Sequence, residues 1–89
     1  MVASKRERIM WNYRLVYSFS EECPVCICEV YYNSDGEIET WSAEPESVYG
    51  DTCDEALRCY LEMADAFVEP PLELVEIGGK KKLVSYRGV

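Results

Sequence analysis

Apolar and polar residues alternate in the first predicted element of the chain. From Trp11 onward every second residue is large and apolar, and the residues between them are mostly polar or small. The apolar set is Trp11, Tyr13, Leu15, Tyr17 and Phe19. A period of two is typical of a strand with one buried face. Pro24 cannot donate to a neighbouring strand, so the pattern predicts a first strand that ends before it.

The next segment is apolar on both faces, as expected for a central strand. It runs from about Val25 to Tyr32 and is followed by Asn-Ser-Asp-Gly at 33–36. Gly36 can take the positive φ that a tight turn requires. Residues 37–42 then return as a third strand. The pattern therefore predicts a β-hairpin over residues 25–42.

A helix start follows a polar connection. Thr52 and Glu55 match the capping box, in which the threonine hydroxyl accepts from the Glu55 amide and the glutamate reaches back. An apolar stripe follows at helical spacing and ends at Pro70. Its members are Ala56, Leu57, Tyr60, Ala64 and Phe67, with Leu61 and Val68 beside them. We expect this stripe to pack on the sheet.

Two further strands complete the order of elements. Residues 72–77 predict a fourth strand, and Gly78 and Gly79 separate it from a weaker fifth at 81–86. The predicted fold class is α+β: an antiparallel sheet of three to five strands, in β-β-β-α-β-β order, with one helix packed on one face. The other face is then expected to expose apolar residues and to serve as a dimer or partner surface.

The same pattern divides the chain into three parts. We expect a flexible basic extension at residues 1–9 and a single α+β domain at residues 10–77. A C-terminal strand and basic tail at residues 78–89 would complete a hairpin.

Charge is distributed unevenly along the chain. Between Glu21 and Glu76 there are 16 carboxylates and a single base, Arg58, a local net charge of −15 in a chain whose total is −8. Such a field repels phosphate backbones and attracts basic proteins. We therefore expect no direct nucleic-acid binding. No apolar run approaches the roughly 18 residues of a membrane span and no signal-peptide pattern is present, so we also expect no membrane partner and a cytoplasmic location.

Three separated segments occur in a specific order. They are Met10-Trp11-Asn12-Tyr13-Arg14, Glu29-Val30-Tyr31-Tyr32-Asn33-Ser34-Asp35-Gly36 and Trp41-Ser42-Ala43-Glu44-Pro45. With Gly50 and the acidic helix at 54–57, this order resembles a family of small bacterial proteins that have no established activity. The resemblance covers residues 10–71 and implies a shared fold, with Met10 at the usual first position. Cys28 stands where the family commonly has histidine, so any role of that imidazole is absent or altered here.

The chain contains no histidine. This excludes Ser-His-Asp and Cys-His catalytic systems and histidine-bearing zinc sites. Gly78 and Gly79 stand alone, so there is no glycine-rich phosphate loop. Acidic pairs such as Glu37 and Glu39 lie in a solvated, turn-rich stretch, which disfavours an acid–base role. We therefore predict a protein that is not an enzyme and has no cofactor.

Five cysteines raise the alternative of a zinc site. Its ligands would be Cys23, Cys26, Cys28 and Cys53. An extended backbone argues against it, because Cys26 and Cys28 would share one strand face rather than form a zinc-binding turn. We favour the interpretation that Cys26, Cys28 and Cys59 are small core residues in a reducing compartment. Cys53, in the first helical turn, would then be the most reactive thiol if exposed.

These features favour a non-enzymatic protein-binding or regulatory module that acts through an acidic and aromatic surface. The residues predicted for apolar anchoring are Trp11, Tyr13, Tyr31 and Trp41, and those for charge complementarity are Asp54, Glu62 and Asp65. The expected partner is another protein, a basic one in particular, and a homodimer is left open. Two alternatives stay open: an acidic nucleic-acid mimic that inhibits a nucleic-acid-binding protein, and the small zinc protein.

Overall fold

The computed structural model describes residues 10–88, in which five strands and one α-helix form an α+β fold. Its elements are β1 (Met10–Tyr17), β2 (Val25–Tyr32), β3 (Ile38–Trp41), α1 (Cys53–Met63), a 3₁₀ helix (Ala64–Phe67), β4 (Leu72–Ile77) and β5 (Lys80–Ser85). The predicted class and the predicted order of strands and helix are confirmed. The extension predicted at residues 1–9 lies outside the described residues.

The sheet is mixed rather than antiparallel throughout. Its strand order is β3-β2-β1-β4-β5. Three of the pairings are antiparallel, but β1 and β4 run parallel, with Val16 beside Leu72 and Tyr17 beside Glu73. The antiparallel prediction is therefore wrong at this junction. The helix-containing connection carries the chain back across the sheet, so that β4 starts in the same direction as β1.

The densest packing lies on one face of the sheet, called here the core face. Its buried residues are Val16, Cys26, Cys28, Val30, Leu72 and Leu83. Larger side chains pack around them: Phe19, Tyr32, Ile38, Trp41 and Leu74, together with Cys23. This core differs from the one expected for β1, because Val16 is fully buried and Trp11, on the opposite face, is 42% exposed. Val16 has strands on both sides, whereas Trp11 lies where β4 does not reach.

The N-terminus of α1 carries the predicted cap. The Glu55 amide donates to the Thr52 hydroxyl at 3.1 Å, and the Glu55 carboxylate accepts from the Asp51 amide at 3.0 Å. Both contacts satisfy backbone donors that have no partner within the helix. The helix is 11 residues long. Within residues 10–88, no helix is long and apolar enough to cross a membrane.

The side of α1 that packs inward shares only Ala56 with the predicted stripe. Met63 and Ala66 are buried, and Ala56 and Cys59 are half-buried. These residues do not join the core-face cluster, and the 3₁₀ helix lies against β1. We therefore place the helical segment on the opposite face, called here the helix face. The expected stripe is exposed instead: Leu57, Tyr60, Leu61, Ala64, Phe67 and Val68 all face solvent. Narrow side chains such as alanine allow the close approach that leucine and tyrosine would prevent.

Candidate partner-binding surface

Three aromatic side chains meet on the helix face near the start of β1. Trp11 lies directly opposite Tyr31 in the β1–β2 register, with ring centroids 6.2 Å apart. Tyr13, two residues along the same strand, meets Trp11 edge to face, with centroids 5.1 Å apart and an interplanar angle of 85°. We call these three residues the aromatic cluster. Edge-to-face contacts are favoured by the ring quadrupoles, so the cluster presents an apolar surface with defined ring orientations.

Carboxylates lie near the two tyrosines of this aromatic cluster. The Tyr31 hydroxyl donates to the Glu29 carboxylate, and this hydrogen bond is the main reason that the pKa of Tyr31 is raised. Burial, followed by the nearby Cys59 thiol and the charges of Glu29, Glu46 and Glu62, raises the pKa of Tyr13 to about 12. We call these three glutamates the acidic rim. Their charges make the surroundings of the rings attractive to a cation.

The predicted binding residues divide between two faces. Trp11, Tyr13 and Tyr31 come together, and Glu62 from α1 lies near enough to act on the Tyr13 phenol. Trp41 does not join them, because it pairs with Val30 and packs on the core face.

The other two predicted acids, Asp54 and Asp65, are exposed on the helical segment. Neither contributes to the charge that acts on Tyr13. Sequence reasoning missed Glu29, which lies directly opposite Tyr13. The sequence did carry a signal for Glu29, because it is the single carboxylate in the otherwise apolar β2.

The cysteines do not assemble a metal site. Cys26 and Cys28 are buried on the core face with their Sγ atoms 3.7 Å apart, and burial raises the pKa of both thiols. Cys53 is exposed at the first residue of α1. Among the described residues, no three or more metal-ligating side chains form a group that could hold an ion. The four-cysteine set named from the sequence is therefore not brought together.

Arg14 is engaged within the fold. Its guanidinium donates to the Tyr32 hydroxyl at 2.7 Å and to the Pro70 carbonyl. The Tyr32 hydroxyl in turn donates to the Asn12 side-chain oxygen at 2.7 Å. These bonds link β1, β2 and the segment before β4. Arg14 therefore acts as a structural clamp on the core face and does not offset the charge of the acidic rim on the helix face.

Comparisons with known protein families, with curated proteins and with solved structures give no match to this chain. The resemblance to the small bacterial proteins stays an expectation from the sequence.

Proposed function

We propose that this chain is a non-enzymatic protein-binding module whose aromatic cluster and acidic rim bind a lysine- or arginine-rich segment of another protein. The observation that carries the proposal is the exposed Trp11 ring, held against Tyr13 and Tyr31 beside the acidic rim. A cation above an indole face is attracted by the ring quadrupole. Carboxylates around the ring add charge-assisted hydrogen bonds to the same cation.

Both parts of the surface are needed for specific binding. Exposed ion pairs contribute only about 0–1 kcal/mol each and weaken with salt. Aromatic side chains contribute most in interfaces, because they bury a large area and lose little conformational entropy. Trp11 is therefore the expected energetic centre. Glu29 and Glu62 are expected to select for positive charge and to speed the encounter.

Calorimetric titration with a defined arginine- and lysine-rich peptide tests the proposal. We expect saturable binding that weakens as salt is raised from 50 to 300 mM, because the screening length then falls about 2.5-fold. Trp11→Ala should weaken binding about tenfold, equivalent to roughly 1.4 kcal/mol. Glu29→Gln and Glu62→Gln should each weaken peptide binding severalfold, because glutamine keeps the shape of the glutamate side chain but removes its charge.

Glu76→Gln is the matched control for these charge changes. It also removes one carboxylate, but Glu76 shares the face of Leu72 and Leu74 on β4, away from the aromatic cluster. The proposal fails if all three glutamine variants weaken binding equally, because the attraction would then be non-specific. It also fails if Trp11→Ala binds the peptide like the wild type.

A competition assay separates this function from the nucleic-acid mimic. A mimic should displace duplex DNA from a cationic DNA-binding protein, and Trp11→Ala should compete as well as the wild type because charge alone would act. The proposed module should instead depend on Trp11 when it binds the arginine- and lysine-rich peptide. Equal competition by both forms would replace the proposal with the mimic.

A further inference from the structure

The outward side of α1 exposes large apolar side chains. Leu57, Tyr60 and Leu61 are 54%, 57% and 57% exposed. They share one side of the helix because Tyr60 and Leu61 follow Leu57 by three and four residues. We call these three residues the helix ridge. Contiguous exposed apolar surface of this kind marks an interaction site more often than an ordinary surface.

A shallow, open depression lies beside the helix ridge. It has a volume of about 300 Å³ and is lined by Asp54, Leu57, Arg58 and Leu61. These residues are related as i, i+3, i+4 and i+7. In helix–helix packing, four residues in this relation form the hole into which one side chain of a facing helix inserts. The shape therefore fits a helical partner better than an extended strand.

The charge of the helical segment indicates whether the partner at the helix ridge is a second copy of this chain or a different protein. From Cys53 to Glu69 there are five carboxylates and one arginine, a net charge of −4. Two copies packed ridge to ridge would bring two such segments together, and like charges across an interface are costly. A helix with lysine or arginine beside its apolar residues would instead meet a segment of opposite net charge, with Asp54 at the edge of the depression together with the single base, Arg58.

We propose that the helix ridge is a second docking surface, which binds an amphipathic helix with basic flanks from a partner protein. The apolar face of that helix would insert a side chain between Leu57 and Leu61, and its flanking cations would lie beside Asp54. This surface is separate from the aromatic cluster. The proposal therefore does not depend on the function proposed for Trp11.

A designed peptide provides the probe. Its sequence would contain only leucine and lysine, with leucines at helical spacing on one face, and a control peptide of the same composition would have its leucines dispersed. We expect one helical peptide to bind each chain, in a titration followed by the amide NMR signals of α1. The double variant Leu57→Gln/Leu61→Gln should weaken binding at least tenfold. Glutamine is a good helix former, so circular dichroism should show unchanged helix content.

One control variant and one further readout make the outcome specific. Ile77→Gln replaces another exposed apolar residue, at the end of β4, and should bind the helical peptide like the wild type. The amide signals of β1 report separately on the aromatic cluster, which the proposed function expects to bind the lysines of the same peptide, so failure at one surface does not imply failure at the other.

Three results would overturn the proposal. Equal binding of the dispersed peptide would show attraction by charge alone. Unchanged affinity in the double glutamine variant would place binding elsewhere. A wild-type dimer in light scattering that becomes monomeric in the double variant would show that a second copy occupies the helix ridge.

Discussion

Trp11 and Trp41 lie on opposite faces of the same sheet. Trp11 stands opposite Tyr31 and is partly exposed on the helix face, whereas Trp41 stands opposite Val30 and packs against the core face. These are the two tryptophans of the chain. One indole therefore reports on the proposed binding surface and the other on the integrity of the core.

Single-tryptophan variants should separate the two signals. In Trp41→Phe the remaining Trp11 should emit at longer wavelength, be quenched readily by iodide and respond to a basic peptide. In Trp11→Phe the remaining Trp41 should emit at shorter wavelength and show no response. Steady-state fluorescence measures both properties. Equal responses of the two variants to the peptide would indicate a change of the whole fold rather than contact at Trp11.

Val30 and Val68 provide a matched pair of truncations. Val30 is fully buried in the core, and Val68 is 82% exposed. Val30→Ala should lower the free energy of unfolding by about 2 kcal/mol, because it removes buried methyl groups and leaves a cavity. Val68→Ala should change it by less than about 0.5 kcal/mol. Urea denaturation measures both, and equal effects would contradict the assignment of the core face.

Gly50 lies against the first turn of α1. A Cβ atom at this position would lie 2.8 Å from the Glu55 carbonyl carbon and closer still to the Ala56 backbone nitrogen. Gly50→Ala should therefore displace the capped helix start and destabilise the fold. Gly36→Ala is the control, since its only expected cost is a positive φ of 84° in open space, about 1 kcal/mol. Thermal denaturation should rank Gly50→Ala as the less stable variant.

Thiol reactivity should follow burial. Cys53 is exposed, while Cys26 and Cys28 are buried with a raised pKa. Only thiolates attack alkylating reagents, so iodoacetamide at pH 8 should modify Cys53 first and the buried pair only after unfolding. Peptide mass spectrometry over time gives the order. Rapid modification of Cys26 or Cys28 in the native protein would contradict the packing described for β2.

Tyr13 should make stability fall in strongly alkaline solution. Its pKa rises from 10.0 to about 12 in the folded state. Below pH 10 both states keep the phenol proton, so the folded state has its full stability. Between pH 10 and 12 the unfolded chain releases this proton and the folded chain retains it, which favours unfolding. Tyr13→Phe should lose less stability over this interval in urea denaturation, and identical pH profiles would contradict the raised pKa.

Local features of the fold could be predicted, and features set by distant contacts could not. The cap at Thr52 and the turn at Gly36 are determined by neighbours within a few residues. The inward side of α1 was predicted wrongly because both sides of this helix carry apolar residues, and periodicity alone favoured the larger Leu57 and Leu61 over Cys59 and Met63. The parallel pairing of β1 with β4 depends on where a long connection returns the chain, which no local pattern specifies.

The arrangement of the aromatic residues was partly predictable for the same reason. Trp11 and Tyr13 follow from the alternation in β1, and Tyr31 follows from the similar alternation in β2. Trp41 was grouped with them wrongly. The β2–β3 register shifts between Tyr31 and Tyr32, so that Trp41 lies opposite Val30 on the core face. A shift of one residue moves a side chain to the other face of a sheet.

The parallel contact between β1 and β4 has a consequence for how the molecule opens. In the described sheet, β1 and β4 are paired at two positions, Val16 with Leu72 and Tyr17 with Glu73. The stacked rings of Tyr17 and Tyr86 and a hydrogen bond from Ser18 to Glu73 support this junction. This short seam is the weakest line across the sheet, so the C-terminal hairpin should detach before the three N-terminal strands separate. Detachment would expose the edge of β1 that normally pairs with β4, leaving an unpaired strand edge. The chain's vulnerability to aggregation therefore lies in the middle of its sheet rather than at its outer margins.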